Sequence, residues 1–476
     1  MNVTFGLLLH VGLQIVTISR AITRPDREPA ARVAWVLVVL ALPFLGIVLY
    51  LLFGETSIGK KKRARMRAVI ARLAAKSAPD KASGAPDIPP LLRAAFSRAA
   101  AVNGVVPVGG NSARLTRDET AAMDAIVADI DAARDHVHIL FYIWLEDQNG
   151  LRVMDAVERA AARGVACRLL IDGLGSRRLG RSERWKALAA KGVKTAITFE
   201  MRWLFAHVFF GRVDLRNHRK IVVIDGHAAY CGSQNCADPE FRVKARFAPW
   251  VDILLRVEGP VVGQIQRIFI TDWMTHTDED IAHMLDDAPT AIRGGFGAVA
   301  MATGPSVDLH ALPDLFSLLL SAAQNEVIIT TPYYVPDESL HRAICAAALR
   351  GVRVTMILPR RNDSIVVACA SRSYYASLLS SGVRVAEFRD GLLHAKTMTV
   401  DGIATCLGSA NMDRRSFELN YENTLLLASP DVTAAIRARQ HDYLARSDVL
   451  KAERIAGWPW HRRVLNNLLA AMGPLL

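Results

Sequence analysis

Hydrophobic and polar positions divide the chain into an apolar beginning and a long alternating remainder. Between Arg32 and Glu55 lies an uncharged stretch, Val33 to Gly54, rich in Val, Leu, Phe and Trp. A bilayer core needs roughly 20 such residues, so this stretch predicts a transmembrane helix. Trp35 and Tyr50 lie near its two ends, where amphipathic rings favour the interface. Pro43 and Gly46 are tolerated inside a membrane helix. Val3 to Ile18 is a weaker candidate, interrupted by His10 and Gln14. No basic side chain precedes it, as one would in a signal peptide. Residues 1–58 therefore predict a membrane anchor, a hairpin whose first span is marginal.

Residues 59–112 predict a basic region and a flexible linker. The basic residues are Lys60, Lys61, Lys62, Arg63, Arg65, Arg67 and Arg72. Lys76 to Pro90 then runs through Ala, Pro, Ser and Asp with no apolar period. Regular structure is expected again by Thr116, where Thr116 and Glu119 form a T-x-x-E capping box. The helix after it carries Met123, Ile126, Val127 and Ile130 on one face.

From here the pattern repeats. His136–Asp147 matches Glu326–Asp337 in character, and each is followed by an Ala-rich helix, one ending Arg163-Gly164-Val165 and the other Arg350-Gly351-Val352. A second helix ending Lys191-Gly192-Val193 matches one ending Ser381-Gly382-Val383. Strand–helix alternation predicts two α/β/α units, residues 113–290 and 291–476, with mostly parallel sheets. A repeat this long is a duplicated domain, not a solenoid.

Charge narrows the class of partner. The net +12 favours anions, whether nucleic acid, acidic lipid or a phosphate-bearing substrate. The basic residues cluster beside the apolar segment, and no nucleic-acid module is present in the sequence. Arg20, Arg24, Arg27 and Arg32 are fewer than the cluster after residue 59, which favours a cytoplasmic catalytic portion. That cluster is either an anionic-headgroup contact, at about 1 kcal/mol per basic residue, or a plain topology signal. Met201–Arg216 and Trp458–Leu476 mix apolar and basic residues as interfacial segments do, with ordinary packing the alternative for both. Six cysteines without a C-x-x-C pair read as buried thiols on a reducing side.

The chemistry is carried by two motifs in register. The first runs His218-Arg219-Lys220, then Asp225, then Gly232-Ser233-Gln234-Asn235. The second runs His394-Ala395-Lys396, then Asp401, then Gly408-Ser409-Ala410-Asn411, with identical spacing. In an extended segment residues two apart share a face, so each His and Lys reach one pocket. Such a pocket is rich in donors and positive charge and poor in carboxylates. It suits a phosphodiester and its five-coordinate transition state, and does not suit Mg²⁺ or Ca²⁺. One imidazole can attack phosphorus while the other protonates the departing alkoxide.

On these residues the chain resembles the phospholipase D superfamily, over both H-x-K-x₄-D motifs and from about residue 115 to 450. The resemblance implies two halves sharing one active site, a phosphohistidine intermediate, and neither metal nor other cofactor. The catalytic candidates it implies are His218, Lys220, Asp225, His394, Lys396 and Asp401, with Asp225 and Asp401 expected to brace loops. Asn235 and Asn411, with Ser233 and Ser409 as further donors, are the implied phosphate ligands. A carboxylate downstream of each motif, Asp252 and Glu422, is implied to orient its histidine.

Closer local matches, Asp214–Lys220, Thr331–Asp337 and Gly408–Phe417, resemble bacterial cardiolipin synthases. Asp238-Pro239-Glu240-Phe241 departs from the acidic pair followed by tyrosine expected there. That likeness implies transfer between two phosphatidylglycerol molecules, giving cardiolipin and glycerol, at a bacterial inner membrane with anionic phospholipids as partners. A phospholipase D, or a phosphatidyltransferase using another alcohol or water, is the alternative. Oligomeric state is left open.

Overall fold

The computed structural model describes residues 3–24, 29–55, 59–76, 86–200, 212, 214–286, 289–305 and 307–471. In the first half, strands His136–Phe141, Ala166–Asp172 and Lys194–Thr198 run parallel. Lys220–Ile224 pairs antiparallel with the first of these and forms a hairpin with Ala228–Gly232. Leu254–Glu258 and then Val108–Leu115 complete the half, both antiparallel. The second half repeats the order: Glu326–Thr330, Arg353–Pro359 and Arg384–Phe388 are parallel. Thr397–Val400, Ala404–Gly408, Asn420–Ala428 and Phe296–Thr303 follow in antiparallel succession. Val108–Leu115 pairs with Phe296–Thr303, so the halves form one 16-stranded sheet.

The sheet is mixed where mostly parallel pairing was expected, and a turn contributes to it in each half. Asp225 and Gly226 have φ of 52° and 66°, and Asp401 and Gly402 have 50° and 69°. Two consecutive positive φ values at Asp-Gly close a tight hairpin whose twist matches its strands. Each turn sets the strand that follows antiparallel to the motif strand, Ala228–Gly232 to Lys220–Ile224 and Ala404–Gly408 to Thr397–Val400. Strand period then sorts the core: Ile221 and Val223 join one hydrophobic cluster, Val222 and Ile224 the cluster on the opposite face.

The stretch expected as linker is only partly so. Residues 77–85 lie outside the described residues. Beyond them, Leu92 and, from helix Arg93–Asn103, Phe96, Ala99 and Ala100 pack into the second half's core with Leu312, Leu315 and Leu319. It ends on Gly104, left-handed at φ 62°. The basic region is also a helix, Lys60–Lys76, lying against helix Val261–His276. Its Met66, Val69 and Leu73 are buried, Arg65 donates to Met274 O (2.9 Å), and Arg65 and Arg72 pair with Asp278 and Asp280. The capping box is replaced as well. Asp118 caps helix Glu119–Ala132 through Ala121 N–H (2.7 Å), while Glu119 accepts Asp252 N–H (2.8 Å).

At the start of the chain the two apolar segments exchange rank. Among the described residues one helix, Thr4–Thr23, is long and apolar enough to cross a bilayer. His10 and Gln14 are accommodated by turning inward: the His10 ring lies 4.0 Å from Phe44, and Gln14 donates to Val39 O at 3.0 Å. The second segment breaks into helices Pro29–Ala41 and Leu45–Phe53, with Phe44 at φ 59°. Pro43 cannot supply a helical N–H, and its ring clashes with the preceding turn. A Cβ on Gly46 would lie 2.4 Å from Val38 O, so only glycine permits this fold-back.

Candidate active site

Two short ladders bring the halves together at their motifs. Arg216–Asn217 pairs in parallel with Asn420–Tyr421, and His218 N–H donates to Tyr421 O (2.9 Å). Trp250–Val251 pairs in parallel with Leu392–Leu393, and His394 N–H donates to Val251 O (2.7 Å). Each histidine thus follows a two-residue strand that belongs to one half and is held by the other.

The carboxylates are crossed in the same way. His218 Nδ1 meets Glu422 Oε1 and Oε2 at 2.9 and 3.0 Å, and His394 Nδ1 meets Asp252 Oδ1 at 2.7 Å. The expectation that each carboxylate orients the histidine of its own motif is therefore corrected. Asp252 leaves its ladder pointing at the second half's histidine, and Glu422 at the first's. Ser233 and Ser409, expected at the phosphate, donate instead to these carboxylates: Ser233 Oγ to Asp252 Oδ1 at 2.5 Å, and Ser409 Oγ to Glu422. Their hydroxyl protons are committed to holding the carboxylates.

Lys220 and Lys396 are buried, and each Nζ donates to the carbonyl of its own motif's histidine at 2.6 Å. Burial lowers Lys220 to about 7 and Lys396 to about 8, against the pull of Glu422 and Asp252. Burial likewise takes His218 down to about 4 and lowers His394. Burial pushes Glu422 upward, but His218, Lys220 and Ser409 outweigh it and hold the carboxyl near 2. Asp252 is lowered too, burial being outweighed by His394, Lys396 and Ser233. Taken down to about 4, His218 is uncharged at neutral pH. Each imidazole turns Nδ1, not Nε2, to its carboxylate.

Asn235 Oδ1 accepts Ile143 N–H (3.2 Å), and Asn411 Nδ2 meets Ser416 Oγ (3.2 Å). Asn411 Oδ1 is buried without a partner among the described residues. Asp225 and Asp401 stand apart, at the hairpin turns. Asp225 accepts the N–H groups of Arg134, Asp135 and His136, and Asp401 those of Gln324, Asn325 and Glu326, at 2.7–2.9 Å. Among the described residues no group of three His, Cys, Asp or Glu side chains is arranged for a metal ion.

Sequence reasoning passed over the walls of the site. The Tyr142 ring lies 4.8 Å from His218 and 5.4 Å from Lys220 Nζ, and the Trp250 ring lies 4.8 Å from His394. Arg219 runs beneath His218, donating to Glu422 O (3.0 Å), Asp272 (2.6 Å) and Thr303 O (3.0 Å). Its position between His and Lys in a buried segment was a readable sign, since a charge there needs a buried partner. Most of the insert before the first motif, Met201–Gly211 and Val213, lies outside the described residues.

Fold and centre together define a duplicated α/β protein of the phosphodiester-transfer class. The family model described as cardiolipin synthase, phospholipase D-like domain, matches residues 126–273 and 317–442, and a phospholipase D-nuclease N-terminal model matches residues 12–55. Cardiolipin synthase A of Serratia proteamaculans (strain 568) is 36% identical over 98% of this chain and 96% of its own length. That of Klebsiella pneumoniae (strain 342) is 35% identical over 100% of this chain and 99% of its own. Phosphatidylserine synthase from Haemophilus influenzae Rd KW20 shares the fold, with a TM-score of 0.56 at 15% identity over 80% of this chain and 97% of its own. The chain belongs to the cardiolipin synthase family of phospholipase D-like proteins.

Proposed function

We propose that the chain transfers a phosphatidyl group from one phosphatidylglycerol to another, giving cardiolipin and glycerol through a phosphohistidine. As a member of its family it is a membrane-associated phosphatidyltransferase that acts on phospholipids. The observation that carries the mechanism is the crossed pairing of two histidines with two carboxylates, each placed to steady a proton on its imidazole. Nε2 of one imidazole attacks phosphorus while the other, protonated, gives its proton to the departing glycerol oxygen. The second imidazole then takes the proton of the acceptor's primary hydroxyl, whose oxygen attacks the phosphohistidine and frees the first. Lys220, Lys396, Asn235 and Asn411 bind the non-bridging oxygens, and Ser233 and Ser409 hold the carboxylates. Asp225 and Asp401 shape the motif turns. An anchor of residues 1–58 in a bacterial inner membrane, with the catalytic halves on the cytoplasmic side, fits the basic residues from Lys60 onward.

The test is incubation of the full chain with phosphatidylglycerol in mixed micelles containing chelator, following lipid products and glycerol together. Cardiolipin and glycerol should appear in equal amounts, and His218→Ala or His394→Ala should each lower turnover on the order of 10⁴-fold. Phosphatidic acid with glycerol and no cardiolipin would make water the acceptor and overturn the synthase reading.

A further inference from the structure

Four arginines from four separate stretches converge outside the paired-histidine centre. Arg246, Arg361, Arg389 and Arg446 surround a cleft of about 330 Å³ whose wall includes Phe247 and Pro249. Arg246 comes from the first half and the other three from the second, so the cleft lies on the seam. One acid, Asp390, lines it, 3.7 Å from Arg446, and Arg389 leans on Asp448 at 3.8 Å. Arg246 and Arg361 are exposed and have no carboxylate partner among the described residues. Like-charged guanidinium groups gathered around one hollow repel each other unless an anion joins them, and their planar forks match phosphate oxygens.

We propose that this cleft is a second phosphate site, separate from the transfer centre, which takes the headgroup phosphate of an anionic phospholipid. The proposal rests on reading the chain as a phospholipid enzyme. Phosphate is the shared chemistry of a lipid and a free ion; two features favour the lipid. Phe247 and Pro249 give the cleft an apolar wall, against which the carbon backbone of a headgroup packs and a bare ion gains nothing. The segment from Arg361 also leads into helix Ile365–Ser373, whose Ile365 is 78% exposed. That helix packs against Trp460–Ala471, which exposes Trp460, Val464 and Leu468 at helical spacing.

The cleft also adjoins the catalytic ladder. Pro249 O accepts Leu392 N–H at 2.9 Å, and a Cβ on Gly391 would lie 2.2 Å from the same oxygen. One residue further along the first segment, the Trp250 ring packs 4.8 Å from His394.

The test uses the full chain in non-ionic detergent micelles and dihexanoyl phosphatidic acid, which has no headgroup alcohol to lose and is not turned over. Equilibrium binding counts lipid equivalents per chain. Arg246→Gln/Arg361→Gln should lose one equivalent or weaken it at least tenfold, with turnover of saturating phosphatidylglycerol within twofold of the parent. Arg246→Lys/Arg361→Lys should restore part of that binding by keeping the charge. Inorganic phosphate should not displace the lipid from this site. Unchanged stoichiometry and affinity in the glutamine variant would overturn the proposal, and so would equal displacement by inorganic phosphate. Failure of the parent to form cardiolipin would instead strike the proposed function, because the lipid count does not depend on turnover.

Discussion

Glu422 and Asp252 set the protonation of a site whose histidines, left to burial alone, would be poor proton carriers. Glu422→Gln removes the charge that steadies the His218 imidazolium as it forms. We expect kcat to fall on the order of 10²–10⁴-fold, with KM moving little, as for other carboxylates behind a catalytic histidine. The same residues predict a pH profile. Lys220 and Lys396 are depressed by burial to about 7 and about 8, so both are charged below those values and lose their protons above them. His218, brought down to about 4, is neutral above that value and protonated below it. With His218 as the nucleophile, a pH series of kcat/KM should therefore show an acid limb near 4 and an alkaline fall, complete through 7–8, as the proton-donating imidazole and then the lysines discharge. A profile still rising at pH 9 would contradict these assignments.

At the scale of elements, the aspartate of each motif belongs to a turn. Asp225→Ala strips the acceptor from three backbone N–H groups at the start of strand His136–Phe141. The expected result is a loss of about 2 kcal/mol in chemical denaturation, with kcat at low temperature within a few-fold of the parent. A collapse of kcat without loss of stability would place Asp225 in the chemistry. The Asp-Gly pairs were legible as hairpin signals and, taken as such, would have given the mixed sheet. The His-x-Lys faces were legible because strand period fixes which side chains share a side. Crossing was not: it depends on which ladders meet after folding, and no local spacing records that. Helix Arg93–Asn103 escaped notice because its buried face is largely alanine around Phe96, too weak a stripe beside a Pro-rich stretch. The second apolar segment misled because composition measures length, whereas Pro43 decides continuity.

At the scale of the molecule, the helix Lys60–Lys76 joins the N-terminal apolar helices to the floor of the site. Met66 is buried with Leu215, Leu419 and Tyr421, its sulfur 3.9 Å from the Tyr421 hydroxyl, and Tyr421 O holds His218 N–H. Met66→Ala should lower stability by about 2 kcal/mol. It should also reduce kcat severalfold more than Leu91→Ala, a change at an exposed apolar position away from this contact. Equal activities in the two variants would show that the helix is mere packing.

Gene duplication usually supplies a spare, and the crossed carboxylates mean that this one does not. A lesion in either copy disables both, since each half keeps the part that the other's histidine needs. Separately made halves should be silent in isolation and recover activity only when mixed.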